Sequence, residues 1–147
     1  MYVRELVLAY RARPSPLRLD NCRQFLHPRD SAELFAGLLS EESVEVFGML
    51  CLTTKCRLLA YYQVSRGSLS NTIVHPRDVF KVALIANAAS VIFGHNHPSG
   101  DPTPSPDDYE LTRRLASAGV LLGVEVLDHL VVGHDGRYFS FKEAGGL

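Results

Sequence analysis

Two histidines stand one residue apart at the end of an apolar run, in "VIFGHNHPSGDPTPSPDDYELTRRL" over 91–115. In an extended strand, residues i and i+2 share a face, roughly 6.5–7 Å apart. His95 and His97 therefore project together, while Asn96 points the other way. Paired neutral imidazoles are ready zinc ligands. A third ligand has to come from elsewhere. Gly100 and the prolines of "PSGDPTP" turn the chain back, which brings the next helix start toward the strand end. Asp108 falls in that helix's first turn and offers a carboxylate oxygen. Two histidines and a carboxylate, with water in the fourth position, make a catalytic zinc arrangement. Asp101 and Asp107 compete for the third place. They rank lower, because Asp101 sits within the turn and Asp107 points away from Asp108 on the helix. Hydrolysis also needs a base. Glu41, Glu42 and Glu45 lie before or at the start of an apolar strand and are the candidates.

Each residue also has a plain structural role. A single strand-end histidine is commonly satisfied by backbone or water. Ser105-Pro106-Asp107-Asp108 makes a good helix N-terminus without any chemistry: a cap, a first-turn proline and acids on the helix dipole. A glutamate at a strand end is ordinarily solvated. What favours a metal is the coupling of His-x-His to a rigid turn and an acidic helix start.

The elements that must position these residues follow from periodicity. Val3, Leu6, Leu8 and Tyr10 predict an opening strand, ended by "RPSP". "LRLDNCRQFLHPRD" reads as mostly loop, with Asp30 capping a helix over about 31–40. Residues 44–53 and 57–67 predict two strands joined as an antiparallel hairpin. "HPRDVFKVALIANAA" opens a helix at Pro76 that is apolar almost all round, so it is expected to pack on more than one side. "SVIFGHNH" is a buried strand. A second helix is capped by Ser105 and ends at Gly119. "VEVLDHLVVG" and "RYFSF" close the chain as two strands across the turn "HDG".

Composition frames the rest. The chain has 147 residues, 46% hydrophobic and 21% charged, with a formal net charge of −1. That predicts one soluble α/β domain over residues 1–147 and no polyanion-binding surface by charge alone. Cys22, Cys51 and Cys56 are odd in number and show no CxxC spacing, so neither a disulfide framework nor a cysteine-rich zinc site is expected. Cys51 is expected to pack in the core. No stretch approaches the roughly 18 apolar residues of a membrane span. Cytoplasmic location and no membrane partner are the expectations.

His95-x-His97, seven residues, then Ser105-x-x-Asp108, with a glutamate upstream, resembles the JAMM motif of JAB/MPN+ metalloproteases. "NAASVIFGHNHPSGDPTPSPDDYELTRRL" and "LLGVEVLDHLVVG" more narrowly resemble the RadC family, over about residues 40–142. The chain looks like a short, single-domain RadC-like form without the helix-hairpin-helix module of full-length members. The resemblance implies a JAB/MPN-type (cytidine-deaminase-like) fold, a curved mixed sheet flanked by helices. It implies that His95, His97 and Asp108 bind Zn2+, with water as the fourth ligand. Glu45, by its place in "EVFGML", would be the general base, with Glu42 close enough to compete. Ser105 would help hold the oxyanion. The implied activity is a zinc-dependent hydrolase, a metallopeptidase or isopeptidase acting on a protein or peptide, such as a ubiquitin-like isopeptide. A homodimer is a further expectation by analogy with other JAB domains.

Two alternatives stand beside this. The family's link to DNA repair and mobile elements suggests a nucleic-acid accessory protein with a structural or vestigial metal site, although the net charge counts against it. A zinc deaminase would need H-x-E and P-C-x-x-C, and Pro98 and Ser99 follow His97 instead. Asp128 and His129 read equally as satisfied strand residues or as part of the site. His134 is expected to be exposed, at most one of Tyr61 and Tyr62 buried, and Asn96 to brace the loop, with Thr103 a candidate for lining the cleft.

Overall fold

A seven-residue strand, β1 (Val46–Leu52), is buried on both faces, and the rest of the domain is arranged around it. The computed structural model describes residues 1–15, 23–67 and 74–147. Ahead of β1 comes helix α1 (Pro28–Leu39). After it follow β2 (Leu58–Arg66), α2 (Pro76–Ile85), β3 (Ser90–Asn96), α3 (Pro106–Leu122), β4 (Glu125–Val132) and β5 (Tyr138–Ser140). The five strands form one mixed sheet in the order β2-β1-β3-β4-β5. Only β3 and β4 run parallel, joined through α3. The other neighbours are antiparallel.

Alternation along the central strands divides the core into two layers. Phe47, Met49 and Cys51 of β1 and Val91 and Phe93 of β3 face α2 and α3, meeting Val79, Phe80, Leu111 and Leu115. Val46, Leu50, Leu52 and Ile92 face α1, meeting Leu34, Phe35 and Leu39. Burial of Cys51 pushes its thiol up to about 11, as suits a core residue. Glycines let α1 lie close. Gly48 and Gly94 sit opposite each other on β1 and β3. A Cβ on Gly94 would come within 2.5 Å of the Phe35 ring.

Several sequence expectations need correction. Residues 1–15 form no strand, and Tyr2, Val3, Leu6 and Tyr10 are exposed. An alternating apolar pattern becomes a strand only where a sheet edge takes up its backbone hydrogen bonds. The loop expected over 17–30 lies partly outside the described residues, and the helix begins at Pro28, not near Ser31. Asp30 acts from the helix's third position, accepting from the backbone N–H of His27 (2.9 Å) and Leu26 (3.2 Å). α2 buries only Val79, Phe80 and Ala83, while Leu84 and Ile85 are 48% and 41% exposed; it packs on one side. α3 runs past Gly119 to Leu122 and closes on Gly123, which has φ 71°. Gly119 is needed for proximity: a Cβ there would lie 2.4 Å from the Val124 carbonyl.

Gly94→Ala tests the close approach of α1. Phe35 is fully buried and has nowhere to withdraw, so the overpacking should cost about 1–3 kcal/mol. The expected result is an unfolding midpoint several degrees lower, partly restored by adding Phe35→Leu. An unchanged midpoint would contradict the packing.

Candidate metal centre

The β3–α3–β4 crossover brings the start of α3 back over the end of β3. His95 lies on the α3 face of β3 and is fully buried. His97 follows the strand, its backbone N–H donating to the Val132 carbonyl at 3.0 Å. The loop after it is held against the β4–β5 turn. The Gly100 carbonyl accepts from the His134 N–H (3.1 Å) and from the Arg137 guanidinium (3.0 Å). The His134 ring fills the space beside Gly100 that a side chain would need.

Ser105 and Asp108 form a reciprocal cap at the start of α3. The Ser105 Oγ accepts from the Asp108 N–H (3.2 Å), and Asp108 Oδ2 accepts from the Ser105 N–H (2.8 Å). The same carboxylate meets the histidines. Asp108 Oδ1 is 3.5 Å from His95 Nε2, and Oδ2 is 3.5 Å from His97 Nε2. The two Nε2 atoms are 3.1 Å apart. His95, His97 and Asp108 are the group that could hold a metal ion among the described residues. Capping the helix and facing the two histidines are thus not alternatives for Asp108.

The charge state follows from this geometry. Burial works to raise the Asp108 carboxyl, but its contacts with the His95 and His97 rings and with the Ser105 N–H outweigh it and hold it well below the usual carboxylate range. The Asp108 carboxylate raises His97, against the opposing effect of burial. His97 Nδ1 is anchored 2.8 Å from the Asp101 carbonyl.

The other candidates separate clearly. The Asp101 side chain turns into its own loop, accepting from the Thr103 N–H and hydroxyl; Asp107 is exposed. Thr103 therefore braces Asp101. Glu42 pairs with Arg66, whereas Glu45 Oε1 reaches to 3.9 Å from His97 Nε2. Asn96 explains why Glu45 is held there. Its Oδ1 accepts from the Val46 N–H (2.7 Å) and its Nδ2 donates to the Val44 carbonyl (3.0 Å), gripping both neighbours of Glu45. Ser105 is exposed beside Asp108.

Sequence reading missed Thr112 and left His129 undecided. His129 Nε2 is 2.8 Å from His95 Nδ1, and its Nδ1 is 2.6 Å from Thr112 Oγ1. Burial holds this imidazole well below its ordinary value, with His95 adding to the effect. The usable signal was helical spacing: Thr112 lies four residues after Asp108, on the same face. Asp128 turns to the α1 side, its carboxylate accepting from Ser140 Oγ (2.6 Å) and the Lys142 N–H (3.0 Å), and burial raises it.

A mixed α/β sheet with a His-His-Asp group where β3 meets α3 defines a domain of the JAB type. The chain belongs to the RadC-like JAB domain family, whose model matches residues 25–147. It is 50% identical over 130 residues to a UPF0758 protein of Trichlorobacter lovleyi, covering 88% of this chain and 56% of the relative. It is 48% identical over 143 residues to one from Symbiobacterium thermophilum, covering 97% and 59%. Over 123 residues it is 48% identical to one from Methanosarcina barkeri, covering 84% and 53%. The chain thus spans somewhat over half the length of these curated relatives, and their names specify no reaction.

The pKa directions give opposite pH dependences for the chelator-treated protein. Asp108, lowered, contributes stability that is complete above its unfolded value of about 3.9 and is lost as pH falls through the folded value. His97, raised, contributes stability below about 6.5 that is lost as pH rises through its folded value. Asp108→Asn should flatten the acid-side fall in urea midpoint and lower the His97 titration midpoint seen by NMR. An unmoved His97 midpoint would contradict the pairing.

Proposed function

We propose that the domain is a zinc-dependent hydrolase of the JAMM type that cleaves peptide or isopeptide bonds. The observation that carries this reading is the convergence of His95, His97 and Asp108 beside the Glu45 carboxylate. Tetrahedral zinc with ligands at roughly 2.0–2.1 Å requires donors about 3.3 Å apart. The observed separations of 3.1 and 3.5 Å suit that demand. Two imidazoles and one carboxylate, with a position left for water, also match the donor chemistry of catalytic zinc. When bound, the ion supplies Lewis acidity and makes water nucleophilic near neutral pH.

The chain's own groups do the rest. His95, His97 and Asp108 would hold the ion. Glu45 takes a proton from the attacking water as the new C–O bond forms. It returns that proton to the amine nitrogen as the C–N bond breaks, leaving an acid and an amine. The Ser105 oxygen accepts from the Asp108 N–H, so its own O–H is left to donate to the carbonyl oxygen as negative charge develops. Asn96 keeps Glu45 in reach. The substrate is a protein or peptide bearing the scissile amide, an isopeptide included. No helix among the described residues is long and apolar enough to cross a membrane, and we place the activity in the cytoplasm. The alternative of a nucleic-acid accessory protein rests on family association, and a formal net charge of −1 gives it no electrostatic support.

Metal content by mass spectrometry, on protein made without chelators, tests this reading. Wild type should carry about one zinc per chain, and His97→Ala should lose it while keeping its circular dichroism. In peptide and isopeptide libraries Glu45→Gln should keep the zinc and lose roughly 100–10,000-fold in rate. A wild type that takes up no zinc would defeat the proposal. Asn96→Ala should lower the rate with zinc content unchanged; full activity would remove Asn96 from the account.

A further inference from the structure

We propose that Thr112 and His129 form a buried relay that fixes the tautomer of His95 and presents its Nε2 lone pair to the metal centre. This rests on the metal-site reading above and names the residues that prepare one of its ligands.

Thr112 Oγ1 is 2.6 Å from the Asp108 backbone carbonyl. A carbonyl only accepts, so at that distance the hydroxyl must donate. Its single proton is then used. His129 Nδ1 lies 2.6 Å from the same hydroxyl oxygen, so Nδ1 must be the donor. In a neutral imidazole, Nε2 is then bare. His95 Nδ1 stands 2.8 Å from that bare nitrogen and so must carry a proton. If His95 carries that one proton, its remaining nitrogen, Nε2, is left as a lone pair. It faces His97 Nε2 and Asp108 Oδ1.

The alternative tautomer of His129 would accept from Thr112 and strip the Asp108 carbonyl of its hydroxyl donor. That carbonyl would keep only the helical N–H of Thr112 and lose the 2.6 Å hydroxyl bond. The ring is also held against rotation. It stacks on Phe141 (4.9 Å, 10° between planes) and meets Phe47 (5.4 Å) and Phe93 (6.3 Å) edge-on. His129 is fully buried. Metal-bound histidines commonly give their second N–H to a carboxylate or a carbonyl. His97 does so with the Asp101 carbonyl. His95 gives its proton to a neutral histidine instead. The relay also closes a ring: Asp108 offers its carboxylate to the site, while its backbone carbonyl starts the chain of bonds that ends on His95. His129 and Thr112 are positioning residues, since neither reaches the centre itself.

The test uses the full chain with 15N-labelled histidine, metal-free, by long-range 1H–15N correlation. The expected pattern is Nδ1–H with a bare Nε2 for both His95 and His129. An Nε2–H tautomer at His129 would overturn the relay. Zinc affinity, measured by competition with a chromophoric chelator, gives an independent readout. His129→Leu should bind roughly 10–100-fold more weakly, the usual loss for such a partner. His129→Gln places an amide oxygen near the lost Nε2 and should recover most of the affinity. Wild-type affinity in a folded His129→Leu would contradict the proposal. Failure of the wild type to bind zinc would sink the metal reading alone, because the tautomer pattern decides the relay without it.

Discussion

Three acceptors facing one another is the constraint on which this structure turns. His95 Nε2, His97 Nε2 and the Asp108 carboxylate lie 3.1–3.5 Å apart where β3 ends, and both histidines have their other nitrogen bound to a partner that directs it. Bare lone pairs and a carboxylate at such distances repel unless a cation, a proton or a metal ion, stands among them. Much of the surrounding structure serves to hold the group together against that repulsion. The parallel β3–β4 pair with α3 as its crossover returns the helix start to the strand end. The Gly100 carbonyl, held by His134 and Arg137, keeps the intervening loop in place.

The same residues serve the fold and the site, which is why neither role can be read in isolation. Asp108 closes the helix cap with Ser105 and faces the histidines with the same carboxylate. Asn96 occupies the outward position of the His-x-His sequence, and from there it ties Val44 and Val46 on either side of Glu45. The glutamate's reach to His97 is therefore set by a side chain on β3 rather than by β1 alone. Opposite the site, the Gly48–Gly94 pair admits the Phe35 ring, fixing α1 on the face behind the His95–His97–Asp108 group.

What was legible in the sequence was local. The β1–β2 hairpin, β3, the Ser105 cap and the His95, His97, Asp108 spacing all express periodicity or capping within a short stretch. Features that depend on distant partners were not legible. The apolar alternation of Val3 to Tyr10 predicts a strand, but pairing is a property of the sheet edge it would join. Gly119 reads as a helix stop, yet it lies within α3 because the incoming Val124 carbonyl leaves no room for a side chain. The apolar circumference of α2 predicts burial on more than one side, whereas Leu84 and Ile85 are partly exposed. His129 joins the site only because the parallel register sets it beside Phe93, on the face that carries His95. That Glu42 is engaged by Arg66 while Glu45 reaches toward His97 likewise depends on partners distant in the chain.

Zinc K-edge X-ray absorption on the reconstituted protein tests the central claim most directly. The expected result is a first shell of nitrogen and oxygen alone at about 2.0–2.1 Å, with outer-shell scattering that fits two imidazoles. A sulfur shell near 2.3 Å, or a spectrum without imidazole scattering, would show that the ion binds elsewhere and that the His95–His97–Asp108 group is not the metal centre.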